Sequence, residues 1–183
     1  MKHLISITLI IFIFRLGANG QDVPEPDFSK KPYYFQNGSL NSFEGQNAAI
    51  KKKVKAIGYG GAEYFYSVPG ARSNLRFRTG SIPPFIIKLD DNSDPSEAIT
   101  ISVGEIKKDE RRFKAFKATM FNGNQDATQD RVKLIVKKIR DKVFEITIHA
   151  VAPGEYAILP YSNNALALSV TSSVAANCFG IDQ

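Results

Sequence analysis

The chain has 183 residues, of which 43% are hydrophobic and 23% charged, with a formal net charge of +6. This composition is close to the globular average, and it excludes a disordered tail, a collagen-like fibre and tandem domains of ordinary size. Because the sequence has one Cys, two His and no Trp, few side chains are available for nucleophilic, acid-base or metal chemistry.

Residues 1–20 have the three parts of a secretory signal peptide. Lys2 makes the start basic, an apolar run covers positions 4–14, and Ala18 and Gly20 supply small residues at the end. A membrane-spanning helix needs about 20 apolar residues, so this run is too short for one. We therefore predict cleavage before Gln21, no transmembrane span, and export to the periplasm or the extracellular space.

The mature chain has a weakly basic charge and a single thiol. Cleavage removes Lys2 and Arg15 and no acid, which leaves 22 basic and 18 acidic residues and a charge of +4. An excess this small does not predict a nucleic-acid partner. Cys178 has no second cysteine to pair with and lies in an apolar segment, so we predict a buried, inert thiol.

Residues 21–32 are predicted to form a flexible leader, because residues 22–32 contain three prolines and five charges without helical or alternating periodicity. One domain is predicted over residues 33–183. It begins with a hairpin, since the aromatic run that starts at Tyr33 leads into Asn37-Gly38, the dipeptide typical of a type I′ turn.

Alternation of apolar and polar residues recurs along the domain and predicts strands with one buried and one solvated face. It covers residues 62–68, 75–78, 85–89 and 155–159, and it continues through 166–170 and 178–181. Charged turns at 107–110 and 140–142 predict two further hairpins, 99–120 and 132–148.

The fold class predicted from this pattern is all-β, an antiparallel β-sandwich of about nine to eleven short strands. Two open, stacked sheets are favoured over a closed barrel because the strands vary in length and several connections are long. The polar segment 121–130 is predicted to be a loop that crosses one end.

The candidate ligand-binding residues are Arg76 and Arg78, on the polar face of one predicted strand and close to Arg72. Their guanidinium groups could hold a carboxylate or phosphate. The alternative is that they form ion pairs with acids on neighbouring strands.

The acidic loop 90–97 is the best candidate for a metal site, because Asp90, Asn92 and Asp94 have the spacing of calcium ligands. Pro95, however, stands where a calcium-binding EF-hand loop needs glycine, and no glutamate closes the loop. We therefore predict a solvated turn and no metal, and keep a calcium-stabilised module as an alternative.

The lysine-rich run 51–55 permits two interpretations. It could form a basic patch for an anionic polymer. We favour an edge strand whose lysines prevent pairing with another molecule, because no stacking aromatic residues alternate with them.

The sequence contains few combinations of residues that are typical of active sites. His149 is the only histidine after cleavage, and alternation places it on the solvated side of its strand. No Gly-x-Ser-x-Gly motif is present, and one His with one Cys does not make a zinc site. We predict that the protein is not an enzyme and has no cofactor. A hydrolase that pairs Glu63 or Glu155 with an acid on a facing strand remains an alternative.

Four segments together resemble a group of exported bacterial β-rich proteins of unknown function. They are Gly58-Tyr59-Gly60-Gly61-Ala62, the run from Gly70 to Phe77, Pro153-Gly154-Glu155-Tyr156-Ala157 and Phe179-Gly180-Ile181-Asp182. The resemblance covers the chain from about Tyr33 onward, and it departs at Phe43-Glu44, where a Leu-Glu pair is expected. It implies an envelope or secreted location and no activity that could be transferred.

The predicted function is a non-enzymatic exported module that acts in envelope binding or assembly. Its expected partner is an envelope protein or a glycan. The sequence does not specify the ligand or an oligomeric state.

Overall fold

A computed structural model describes residues 22–54, 62–119, 123–126, 131–149, 151–161 and 173–183. This part of the chain is all-β, as predicted, with thirteen strands, one 3-10 turn at Pro95–Glu97 and no α-helix in the ranges given. The strands are β1 (Tyr33–Gln36), β2 (Ser39–Ser42), β3 (Glu44–Val54), β4 (Ala62–Pro69), β5 (Arg76–Arg78), β6 (Phe85–Lys88), β7 (Ile99–Lys107), β8 (Glu110–Thr119), β9 (Gly123–Asp126), β10 (Leu134–Arg140), β11 (Val143–Ile148), β12 (Gly154–Pro160) and β13 (Ser173–Asp182).

The three predicted hairpins are confirmed, and each has a residue with positive φ in its turn. The β1–β2 turn contains Asn37 (φ 54°) and Gly38 (φ 76°). Lys108 (φ 53°) lies between β7 and β8, and Lys142 (φ 58°) lies between β10 and β11. In the β1–β2 turn, the two successive positive φ angles match the right-handed twist of the strands.

The smaller sheet has five strands in the order β10, β11, β6, β1, β2. Every neighbouring pair in it is antiparallel. After Ser42 the chain leaves this sheet through Phe43 and enters the larger one as β3.

The larger sheet closes into a six-stranded barrel. Its strands follow the order β12, β7, β8, β4, β3, β13, and β13 pairs again with β12. All six neighbouring pairs are antiparallel. Two short strands attach to the ring: β5 pairs in parallel with the end of β13, and β9 pairs with β8.

This closure differs from the predicted pair of open sheets. It depends on pairing between β12 and β13, which neither strand length nor turn chemistry specifies. Small residues on the inward face make a narrow barrel possible, because the interior of a six-stranded ring has little room. A Cβ on Gly104 would lie 2.7 Å from the Phe113 ring, and Ala48, Ala157 and Ala176 also face inward.

The described residues form two apolar clusters, one on each side of the barrel wall. The inner cluster consists of Ala48, Ile50, Tyr66, Val68, Phe113, Ala157, Leu159, Ala176 and Cys178. The outer cluster lies between the barrel and the five-stranded sheet and includes Phe43, Phe77, Phe85 and Phe179, whose ring centroids are 4.9 to 6.5 Å apart. Strand β12 supplies both clusters, so residues 155–159 are all buried.

The prediction of one solvated face is therefore wrong for β12, and also for β6, where Phe85, Ile86 and Ile87 are buried in succession. The polar segment 121–130 was predicted as a loop. Four of its residues form β9, and the other six lie outside the described residues. So do residues 1–21, which contain the predicted signal peptide, and the predicted strand at 166–170.

The predicted leader contacts the smaller sheet. Residues 22–32 contain no helix or strand, but Pro26 is buried and Glu25 forms an ion pair with Lys88 of β6. The Lys30 N–H donates to the Lys88 carbonyl (2.7 Å). Among the described residues, no helix is long and apolar enough to cross a membrane.

Candidate functional site

The two predicted ligand residues, Arg76 and Arg78, lie on β5 at one end of the barrel but in different surroundings. Arg76 is 20% exposed, and its guanidinium pairs with Glu155 of β12 and Asp182 of β13. The Arg78 side chain is exposed and has no ion pair or hydrogen bond with the described residues. Arg76 therefore fits the alternative in which the arginine pairs with the protein's own acids.

A charged cluster fills this end of the barrel, where β3, β8 and β12 begin and β4 and β13 end. Residues 70–79, which we name the cap segment, follow β4 and cross this end. The Ser73 N–H donates to Glu155 Oε2 (2.8 Å), and Ser73 Oγ donates to Glu44 Oε2 (2.7 Å). We name the following residues the barrel-end cluster: Glu44, Arg72, Ser73, Arg76, Arg111, Glu155 and Asp182.

Arg111 is the centre of the barrel-end cluster and is only 1% exposed. Its Nη2 lies 3.1 Å from Glu44 Oε1, and its Nη1 lies 3.5 Å from Glu155 Oε2. Its Nε also donates to the Gly70 carbonyl at the start of the cap segment (3.1 Å). A guanidinium stays protonated in proteins, so burying it requires paired carboxylates and carbonyl acceptors.

Two carboxyl groups of the barrel-end cluster, those of Glu44 and Asp182, have pKa values below their ordinary range. Burial acts to raise the pKa of Glu44, but hydrogen bonds from Ser73, Asn74 and Arg111 outweigh it and leave that pKa below its ordinary value. The hydrogen bond from Arg76 lowers the pKa of Asp182. The same bond raises the pKa of Arg76.

The hydrolase alternative requires two carboxyl groups that face each other, one of them able to donate a proton. Glu155 does face a second carboxylate, Glu44, but both contact the Arg111 guanidinium, and Glu44 has no proton to donate near neutral pH. A general acid for glycoside hydrolysis needs a raised pKa. Glu63 lies near the start of β4, at the opposite end of the barrel from Glu155. The barrel-end cluster is arranged to attach the cap segment to the barrel.

The candidate calcium ligands make contacts within their own loop and with neighbouring segments. Asp90 Oδ2 pairs with Lys30 Nζ at 2.6 Å, and the Asp94 side chain caps the 3-10 turn. Asn92 Oδ1 accepts from the Lys142 N–H (2.9 Å). No group of three or more potential metal ligands occurs among the described residues.

The lysine-rich run lies at the end of β3. Residues 50–54 extend beyond the last β13 partner of β3, which is Ala49, and pair with β4. Lys51 Nζ pairs with Glu110 Oε2 at 2.5 Å, and Lys52 Nζ lies 5.7 Å from the Tyr64 ring centroid. These two lysines are thus engaged within the chain, while Lys55 lies outside the described residues. His149 is exposed, as predicted.

A cleft of about 460 Å³ opens at the boundary between the barrel and the five-stranded sheet. Its floor includes Leu89, Ile99 and Ile158, which belong to the outer apolar cluster. Ala175 and Asn177 of β13 line one wall. Cavities of this size, with an apolar floor and a few polar groups, are typical of small-molecule sites.

The rim of the cleft is polar and charged. It is formed by Asp90, Asp91 and Glu97 of the acidic loop and by Lys30 of the leader. The Asn177 side chain is half-buried and makes no hydrogen bond with the described residues. The loop predicted as a possible calcium site thus contributes instead to a cleft.

Comparisons of the chain with protein-family models, with curated proteins and with solved structures find no match.

Most of the barrel-end cluster was not predicted, although the sequence carries a signal for it. Arg111 has the same parity as the buried Phe113, and Glu155 has the same parity as Ala157. Where a charged residue stands at the first or second position of a strand and has the parity of that strand's inward-facing residues, it is therefore expected to be buried at the end of the barrel. The cleft has no comparable signal, because its lining comes from four separate segments.

Proposed function

We propose that the protein is a non-enzymatic binding module, exported by the signal peptide at residues 1–20 and active in the periplasm or outside the cell. The observation that carries this proposal is the cleft of about 460 Å³ over the outer apolar cluster. Such a site can hold an apolar group of a ligand without any bond being made or broken.

The position of the cleft supports binding. Its floor continues the packed core, so an apolar ligand placed there extends the contacts of Leu89, Ile99 and Ile158. A second cavity, of about 710 Å³, lies where Val23 approaches Arg140, and none of its lining residues belongs to either apolar cluster. We therefore assign ligand binding to the first cleft.

The absence of a catalytic arrangement among the described residues also favours binding over hydrolysis. The convergent carboxylates, Glu44 and Glu155, are paired with Arg111. The buried thiol Cys178 has a pKa raised to about 12 by burial, so it is not a thiolate nucleophile near neutral pH. An apolar floor suits an envelope protein side chain or a small amphiphile better than a glycan.

The stacking of two layers, which the predicted sandwich included, also has a role in this proposal. The smaller sheet covers one side of the barrel, and the cleft lies where the two layers separate. We propose that the smaller sheet serves as the wall of a binding site as well as cover for the core.

Binding can be tested with a series of linear alcohols from butanol to octanol, measured by calorimetry or by NMR titration. Each methylene placed on the floor is worth about 0.8 kcal/mol, or roughly a fourfold change in dissociation constant. We expect affinity to rise with chain length and saturate at one site per chain.

Ala175→Phe fills the cleft from an exposed position of β13 and is expected to abolish alcohol binding. Ala49→Phe is the matched control, since Ala49 is an exposed alanine of the neighbouring β3 and does not line the cleft. The proposal fails if no alcohol binds saturably, or if both variants bind equally well.

A further inference from the structure

The cleft has a negative rim on a chain with net charge +6. Three carboxylates, Asp90, Asp91 and Glu97, face one ammonium group, that of Lys30, among the described lining residues. The described side chains that line the cleft therefore carry a net charge of −2. A pocket with this charge attracts cations and disfavours anions of the same shape.

An ammonium group of the chain itself already occupies part of the rim. Lys30 Nζ lies 2.6 Å from Asp90 Oδ2, although both side chains are more than half exposed. The Lys30 backbone has φ 61° and donates its N–H to the Lys88 carbonyl, which attaches this residue to β6. The pair shows that the rim accommodates a primary ammonium in hydrogen-bonding geometry.

The remaining rim acids differ in what they already contact. Asp91 Oδ1 accepts hydrogen bonds from the Ser93 N–H (3.1 Å) and Oγ (2.6 Å). The Glu97 side chain has no ion pair or hydrogen bond with the described residues, so its carboxylate can accept a ligand donor. The Asn177 amide adds a neutral acceptor on the opposite wall.

We propose that the cleft binds a primary ammonium ion carried on an apolar body. The inference rests on the proposed function and adds the charge of the ligand. The alkyl part lies on the floor formed by Leu89, Ile99 and Ile158, while the ammonium group reaches Glu97 and competes with Lys30 for Asp90. Lys30 acts as an internal substitute for the ligand's head group.

The test compares octylammonium, octanol and octanoate by calorimetry at low ionic strength with the full mature chain. We expect octylammonium to bind most tightly and octanoate least. Exposed ion pairs change affinities by about two- to fivefold each, so Glu97→Gln should weaken octylammonium by this factor and leave octanol unchanged. Glu105→Gln, an exposed acid remote from the cleft, is the matched control.

Lys30→Ala gives the sharpest readout. Because it frees Asp90, it should strengthen octylammonium binding about two- to fivefold relative to octanol. A purely structural role for Lys30 would weaken both ligands equally, and that result would overturn the proposal. The ratio of the two affinities remains informative even where the variant lowers stability.

The two proposals fail in different ways. Octanol binding that Ala175→Phe blocks, without preference for octylammonium, overturns the ammonium assignment and leaves the binding function intact. No cleft-dependent binding of any alkyl compound overturns the binding function. A leucyl-lysine dipeptide with blocked termini serves as an additional probe. If it binds more tightly than octylammonium, the ammonium of the ligand belongs to a lysine side chain. If octylammonium binds more tightly, the ligand is a free amine.

Discussion

At the scale of single residues, the Arg76 guanidinium of the barrel-end cluster occupies the space that a side chain at Gly180 would need. A Cβ added at Gly180 would lie 1.6 Å from Arg76 Nη1, so the Gly180→Ala variant must displace the guanidinium from Glu155 and Asp182. Breaking a buried ion pair costs about 3 to 5 kcal/mol. We expect Gly180→Ala to lower the free energy of unfolding by about 3 kcal/mol in urea titrations followed by circular dichroism.

Gly45→Ala is the matched control for this substitution. Gly45 lies in a strand of the same barrel, has no positive φ, and would place its Cβ with nothing within 4 Å. Its effect should stay within about 0.5 kcal/mol. Combining Gly180→Ala with Arg76→Ala should cost little more than either change alone, because both remove one interaction. Full additivity would show that Gly180→Ala destabilises the fold without displacing Arg76.

At the scale of strands and turns, the sequence was most informative where local chemistry decides the structure. Asn37-Gly38 specifies its hairpin because both residues tolerate positive φ, and alternation identifies β7 and β11. The parallel pairing of β5 with β13 could not be predicted, since it joins residues about 100 positions apart. Strand β12 was predicted as half-solvated because alternation does not distinguish two different apolar surroundings.

The barrel-end cluster was missed for a related reason. A charge on a strand is ordinarily assigned to the solvated face, so the shared parity of Arg111 with the buried Phe113 was not taken as a sign of burial. Arg76 was identified from the sequence as a candidate for anion binding, and the anions it holds are side chains of the protein. The cleft depends on where the two layers separate, which is a property of the packed domain.

The junction of β3, β4 and β8 gives a pH-dependent prediction. Hydrogen bonds from Lys51 and Ser67 lower the pKa of Glu110 from 4.5 to about 2. A group whose pKa is lower in the folded state stabilises the fold above its unfolded pKa and loses that contribution as pH falls through the folded value. Stability should therefore decline between about pH 5 and pH 2.

Glu110→Gln isolates this contribution. We expect the variant to be less stable than the wild type by about 1 to 2 kcal/mol at pH 7, because the pairs are partly exposed. Urea midpoints measured from pH 7 to pH 2 should converge at the acid end. Glu97→Gln removes a carboxylate that has no ion pair with the described residues, so its curve should run parallel to that of the wild type. Parallel curves for Glu110→Gln would contradict the prediction.

At the scale of the whole molecule, the barrel wall separates two cores that share strands. The inner cluster is closed at one end by the cap segment and its ion pairs, while the outer cluster is covered by the smaller sheet. Because β12 and β13 contribute to both, opening the seam between them exposes both clusters at once. Access to the barrel interior should therefore require unfolding of most of the domain.

Cys178 reports on that opening, because its thiol is fully buried in the inner cluster. We expect a disulfide reagent to label it in native buffer at least about a thousandfold more slowly than in urea, as for a group exposed only by global unfolding. In a Cys178→Ser background, Ser173→Cys places a thiol at an exposed position of the same strand and should react rapidly.

Arg111→Met leaves Glu155 and Glu44 without their shared cation. This variant should accelerate labelling of Cys178 in proportion to the decrease in the free energy of unfolding. If native Cys178 reacts as fast as the Ser173→Cys control, the β12–β13 seam is open in solution and the barrel is not a closed ring.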